Sequence, residues 1–280
     1  MTSPPSTLHH YTSQSGLLGI FSSNSLWASK IHYLNDSSEY ELALKLAATF
    51  LTDLLKGERS TRQRRKIKAL LSNLRMIEHM NVCVCSFTEN GDQLSQWRAY
   101  TDGGSGFSIG FNTQHLETQA AIHDFRLAKC IYDAAEHRGL VEQLVLSSLA
   151  KDFNTAPSTR HPTEPWTIVV KHVGGEFSKD ISLLAPLLKN AAFREEAEWR
   201  LISARGIDVR KMSFRAGKSM LIPYTSIPLG EPGLAFLNSL VVGPTPHPGL
   251  AKRAAESLVR SYASPGMSAV QSSEVPYRAW

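Results

Sequence analysis

Apolar positions along this chain recur at two different periods. After Asn35-Asp36-Ser37-Ser38-Glu39, the residues Tyr40, Leu44, Ala47, Leu51 and Leu55 fall on one stripe at helical spacing, which predicts a helix running to Lys56. A second helix is expected over residues 61–79, and others near 17–21, 134–153, 165–188 and 249–262. Short β-rich or alternating runs predict strands at 8–11, 26–29, 82–87, 107–111, 125–132, 239–242 and 268–272. Residues 193–202 also enter a strand. Helices and strands are interspersed without a strict βαβ rhythm. The expectation is therefore an α+β fold in one domain spanning residues 1–280, with a mixed sheet and flanking helices. Residues 1–6 read as a disordered arm and residues 38–80 as a helical insertion. The Pro-rich stretch 156–165 reads as a loop between the two halves of the chain.

Composition narrows the class. Hydrophobic residues make up 42% of the 280 and charged residues 20%, as in ordinary globular chains. The longest apolar run is far below the roughly 18 residues of a membrane span, and no apolar signal segment follows Met1. Cys83, Cys85 and Cys130 are too few for a disulfide framework and lack the companion spacing of a zinc site, so a reduced, cytoplasmic protein without metal or membrane partner is expected. Thirty Lys and Arg face 25 Asp and Glu, a net +5. The excess is concentrated in Lys56, Arg59, Arg62, Arg64, Arg65, Lys66, Lys68 and Arg75, opposed in that segment by Glu58. Such a stripe is either a solvated helix face or a phosphate-contacting surface, with Arg62, Arg64, Arg65 and Lys66 as its centre.

Familiar signatures are missing. The glycines of Gly104-Ser105-Gly106-Phe107-Ser108-Ile109-Gly110 have the wrong spacing for a dinucleotide loop and precede a strand, whereas a phosphate loop opens a helix. Three other constellations carry chemistry. In His9-His10-Tyr11-Thr12, strand alternation puts His10 and Thr12 on one face, a polar pair suited to ribose hydroxyls, and His9 with Tyr11 on the other. In 93–100, helical spacing gathers Gln93, Gln96, Trp97 and Tyr100 into a face both polar and aromatic, suited to stacking on a planar ring. In 195–200, a strand would line Glu196, Glu198 and Arg200 on one face, where neighbouring charges tune a carboxylate. Asp36 and Glu39 have capping-box spacing and, with Asn35, read as structural.

Several motifs carry a resemblance. His10-Tyr11-Thr12 with Gly16-Leu17, Leu26-Trp27-Ala28-Ser29, Asn35-Asp36-x-x-Glu39, Ser86-Phe87-Thr88-Glu89, Leu94-Ser95-Gln96-Trp97-x-x-Tyr100, Gly106 to Phe111, Phe193-x-x-Glu196-x-Glu198-Trp199-Arg200, Ile222-Pro223-Tyr224, Val242-Gly243-Pro244 and Pro276-Tyr277-Arg278 together resemble a bacterial family known as domain of unknown function 2971. That family label implies no activity. The order of a histidine, an aromatic helix ending in Tyr100 and a late E-x-E pair, Glu196 and Glu198, is also similar to ADP-ribosyltransferases, which bind NAD in a split-sheet cleft without a Rossmann loop. This chain departs from them in placing Tyr11 between His10 and Thr12, and in lacking the Ser-Thr-Ser of one subclass.

The second resemblance implies that NAD is a substrate. Glu198 would stabilise the oxocarbenium charge that develops as the nicotinamide–ribose bond breaks. Glu196 would orient or deprotonate the acceptor. His10 and Thr12 would hold ribose hydroxyls, Trp97 or Tyr100 would stack on nicotinamide, and Gln96 and Arg200 would complete the NAD-binding set. The basic segment points to nucleic acid, RNA or DNA, as acceptor, and such an enzyme suits a toxin or phage-defence effector held by an antitoxin. Two rivals stand beside it: a nucleic-acid-binding or regulatory module without catalysis, and a hydrolase of NAD or a nucleotide.

Overall fold

The computed structural model describes residues 3–34, 38–77, 79–101, 105–150, 177–217, 219–262 and 270–277. Its organisation follows from β3 (Cys83–Thr88), whose side chains alternate between two buried faces. β6 (Glu198–Ser203) pairs antiparallel along one edge of β3, from Val84 opposite Ile202 to Thr88 opposite Glu198. The other edge is divided. β2 (Ser25–Lys30) takes its start, with Ser29 and Lys30 opposite Val84 and Cys83, while β1 (Thr7–Thr12) takes its end through the single pair His9 and Thr88. The sheet therefore forks at β3.

From β1 one branch continues through β4 (Phe107–Asn112) and β9 (Leu237–Val242) to β10 (Val270–Ser272). From β2 the other continues through β8 (Leu221–Pro228) to β7 (Ser213–Ala216), and β5 (Phe125–Lys129) lies beyond β6. Among the described residues this makes one ten-stranded sheet. Every pairing is antiparallel except β9 with β10, so the sheet is mixed. That parallel pair needs a long crossover, which contains the helix α8 (Pro248–Tyr262).

Both faces are covered. On one, α1 (Gln14–Ser23), α5 (Thr113–Ile122) and α8 bury a core that includes Leu8, Cys85, Phe87, Phe111 and Leu201. On the other, α2 (Ser38–Lys56), α3 (Thr61–Ile77), α6 (Ala134–Ala150) and α7 (Phe177–Leu184) cover Val84, Ala128 and Ile202. The stripe Tyr40, Leu44, Ala47 and Leu51 packs there with Ile67, Leu70, Leu74 and Ile77 of α3, so residues 38–80 form much of the second core. α4 (Leu94–Tyr100) shields a small third cluster of Tyr11, Trp97 and Val241.

The α+β class and the mixed sheet with flanking helices agree with the sequence pattern. The hairpin β7–β8 and helix α5 have no counterpart in it. β7 is mostly exposed, so no apolar alternation marks it, and α5 has only a weak apolar face, buried at Thr113, Leu116 and Ala120. The Ser6 carbonyl accepts from the Thr113 N–H at 3.1 Å, so Ser6 is tied to the start of α5. The loop expected over 156–165, Asn35, Asp36 and the side chain of Glu39 lie outside the described residues.

Phe111 is fully buried, stacked on Phe236 at 5.2 Å and edge-on to Phe87 at 5.6 Å. Phe111→Ala is expected to lower unfolding free energy by about 3–5 kcal/mol through weakened packing and a cavity, read as a lower urea midpoint.

Candidate functional site

The face of β3 and β6 that α2, α3, α6 and α7 cover at Val84 and Ile202 turns polar farther along. The next pairs on that face are Ser86 with Arg200 and Thr88 with Glu198. Glu198 and Arg200 are nonetheless only 5% and 3% exposed. Arg200 donates from Nε to Glu198 Oε1 at 2.8 Å and from Nη2 to Oε2 at 3.0 Å, and its Nη1 donates to the Pro186 carbonyl at 2.6 Å. Lys189, also buried, bonds Glu198 Oε2 and Glu196 Oε2. It is aimed there by the bridge between Leu188 and Ile131 and by its own N–H, which donates to the Ile131 carbonyl at 2.9 Å. Two carboxylates and two cations thus neutralise one another where isolated charges would be strongly penalised. Burial by itself would raise the Glu198 pKa, but the charges of Arg200 and Lys189 outweigh it and hold the carboxyl at about 2. Its Oε1 accepts one bond and keeps capacity for another donor.

The expected strand face through Glu196, Glu198 and Arg200 is not how the carboxylates meet. Glu196 ends a 3-10 turn, Ala191–Glu196, and Ala197 follows at φ 42° and ψ 48°, a left-handed conformation that lets β6 start at Glu198. This turn, which costs a non-glycine residue about 1–2 kcal/mol, folds Glu196 back toward Lys189. Thr88 Oγ1 fastens it by donating to the Glu196 carbonyl at 2.6 Å.

Where β1 leaves β3, the His10 ring fills the gap. Its Nδ1 lies 2.9 Å from the Ser86 carbonyl, which can only accept, so Nδ1 carries the proton and Nε2 presents a lone pair. Burial lowers the His10 pKa, partly offset by this bond, and keeps the ring neutral. His9 points to the opposite face, the one shared with Thr88 and Glu198 through the His9–Thr88 pair. Gly91 approaches it so closely that a Cβ there would lie 2.5 Å from His9 Cε1. From α4, Gln96 and Tyr100 complete a cavity of about 60 Å³, lined also by His9, His10, Tyr11, Ser86, Phe87, Thr88, Glu196 and Glu198. That volume is well below the several hundred Å³ that enclose a whole dinucleotide, so only one end of such a molecule fits it as it stands. Burial, with the charges of Glu196 and Glu198, pushes the Tyr100 phenol up to about 12.

The fork thus brings together His10, Gln96, Tyr100, Glu196 and Glu198. Three expected ligand-binding residues, Thr12, Trp97 and Arg200, do not line the cavity. Thr12 does not line the cavity and packs against the first turn of α1, where a Cβ at Gly16 would lie 1.9 Å from its Oγ1. Trp97 is completely buried, edge-on to Tyr11 at 4.7 Å, because the apolar side of α4 must pack on the sheet. Arg200 is committed to Glu198 and Pro186. Sequence reasoning missed Lys189, His9 and Thr88. No motif surrounds Lys189, and alternation put His9 on the face away from His10, whereas both histidines line the cavity.

Arg62, Arg64, Arg65, Lys66, Lys68 and Arg75 lie on α3, while Lys56 ends α2 and Arg59 lies between the two helices. Arg62, Arg64 and Arg65 are exposed, whereas Lys66 is part-buried and donates to the Leu149 carbonyl at 3.2 Å. Among the described residues no three His, Cys, Asp or Glu side chains gather as a metal site requires, and no helix is long and apolar enough to cross a membrane.

Because the folded Glu198 pKa is depressed from 4.5 to about 2, its ion pairs contribute stability above pH 4.5 that is lost as pH falls toward 2. Urea titrations across this window are expected to show that loss, and Glu198→Gln to make it shallower. An unchanged slope in the variant would remove the ion pairs as its cause.

A family model described as "Protein of unknown function (DUF2971)" matches residues 96–201. No curated protein and no solved structure matches the chain. The matched span begins at Gln96 and contains Tyr100, Lys189, Glu196, Glu198 and Arg200, so over this stretch the chain is similar to the DUF2971 family, while the cavity residues His9, His10, Ser86 and Thr88 lie before it.

Proposed function

We propose that the protein is an NAD-dependent ADP-ribosyltransferase that modifies nucleic acid. The observation that carries this reading is the Glu198 carboxylate: ionised, immobilised by Arg200 and Lys189, with spare acceptor capacity on Oε1, and lining a cavity shared with His10. A fixed anion of this kind is what a developing oxocarbenium ion needs, since no reorganisation is required as the charge appears. The C1′–nitrogen bond breaks, nicotinamide leaves neutral with the electron pair, and an acceptor oxygen or nitrogen bonds C1′ and gives up its proton. Glu198 accepts the ribose 2′-hydroxyl, and His10 Nε2 accepts a second hydroxyl. Tyr100 stacks on the ring, and Glu196 receives the acceptor's proton. In this reading the protein acts as a toxin or defence effector controlled by an antitoxin.

Incubation with labelled NAD and a mixture of RNA, DNA and protein tests the reading: nicotinamide is released and label is retained by nucleic acid. Glu198→Gln, with its fold checked by circular dichroism, is expected to lose about 10²–10³ in rate, the scale of one electrostatic interaction with a transition state. Wild type that releases no nicotinamide with any acceptor would favour the binding-module reading, and release without retained label would favour a glycohydrolase.

Exposed Arg62, Arg64 and Arg65 with Lys66 provide the acceptor-binding surface. Neutralising the four together is expected to weaken polyanion binding and to flatten its salt dependence, by about 0.7–0.9 in log–log slope for each phosphate left without its cation. An unchanged slope assigns the stripe to ordinary solvated surface.

A further inference from the structure

The helix that roofs the cavity cannot hold itself. α4 has seven residues, and its N-cap, Gln93, makes no side-chain capping bond, so two turns of this length need support from outside. On its inner side Trp97 packs on Tyr11 and Val241. The carboxyl-terminal segment 273–277 lies against the same cluster, and it is joined to the helix by Asp92, two residues before it. Asp92 Oδ1 accepts from Trp97 Nε1 at 2.7 Å and from Ser273 Oγ at 2.6 Å, while Oδ2 accepts the Glu274 N–H at 2.7 Å.

The segment is itself held by the sheet. The Ser273 N–H donates to the Val242 carbonyl at 2.8 Å, the continuation of the β9–β10 ladder. Val275 then packs against the Tyr11, Trp97 and Val241 cluster, and the Arg98 guanidinium lies 5.3 Å from the centre of the Tyr277 ring. Asp92 thus connects the last strand of the sheet to a helix that carries Gln96 and Tyr100 into the cavity.

We infer that Asp92 is a positioning residue, which uses the carboxyl-terminal segment as a strap to set Gln96 and Tyr100 over the reacting end of the substrate. Only its link to turnover rests on the transferase reading. The geometry needs both carboxylate oxygens: an asparagine keeps one acceptor and so serves either the Trp97–Ser273 pair or the Glu274 N–H, and an alanine serves neither.

The test is amide hydrogen exchange on the full chain, comparing wild type with Asp92→Ala and Asp92→Asn. Exchange across residues 97–100 is expected to accelerate by about tenfold or more in Asp92→Ala, the scale of removing one hydrogen bond to a charged group, with a smaller increase in Asp92→Asn. Peptides from β3 and β6 should keep wild-type rates. In NAD cleavage the KM is expected to rise by a similar factor while kcat changes little, because the roof orients substrate and Glu198 is untouched. Unchanged exchange in α4 overturns the inference whatever the activity, as does acceleration spread equally over β3 and β6. A loosened α4 with wild-type KM overturns the link to the site. A loosened α4 in a chain whose wild type cleaves no NAD supports the strap and removes the transferase reading.

Discussion

One edge of β3 is claimed by two strands, and the site exists because both cannot have it. β2 pairs at Cys83 and Val84 and β1 at Thr88, so the backbone of Ser86 between them faces no strand partner on that side. A buried carbonyl without a partner is costly. Here the partner is the His10 imidazole at 2.9 Å. The same bond that satisfies Ser86 fixes the imidazole tautomer and turns its second nitrogen into an acceptor. The gap, the histidine and the cavity are one feature of strand pairing.

The charges beside the fork follow from its neighbours. Beyond the helical layer the face of β3 and β6 loses its apolar cover, and the side chains there are Ser86, Thr88, Glu198 and Arg200. Burying Glu198 requires compensation, which Arg200 supplies from two residues along the strand and Lys189 from a separate turn. This coupling favours the ionised form of Glu198 and fixes its orientation. It also commits Arg200 internally, so a guanidinium that reads as a ligand-binding group is instead part of the frame.

Chain order and spatial order diverge most at α4. The helix follows β3 directly, yet it is fastened by residues near the end of the chain through Asp92. Its polar and aromatic spacing divides by direction: Gln96 and Tyr100 line the cavity, while Trp97 fills the small core against Tyr11 and Val241.

The sequence by itself determined the elements whose apolar period is strong, among them the Tyr40 to Leu51 stripe, strands β1 to β4 and β6, and the α+β class. It also placed His10, Gln96, Tyr100, Glu196 and Glu198 among the candidates, because polar and aromatic residues at core-like positions stand out without any partner in view. Only the tertiary structure decided which of them meet. Lys189 carries no motif, and its meaning comes from a bridge between Leu188 and Ile131, 57 positions apart in numbering. His9 lines the cavity and Thr12 does not, because His9 lies opposite Thr88 at the fork while Thr12 packs against the first turn of α1. Trp97 was taken by the core because a two-turn helix must bury its largest apolar side chain to stay on the sheet. Period and composition are local properties of the chain, whereas the pairing of β3 and the compensation of buried charge depend on interactions between distant segments.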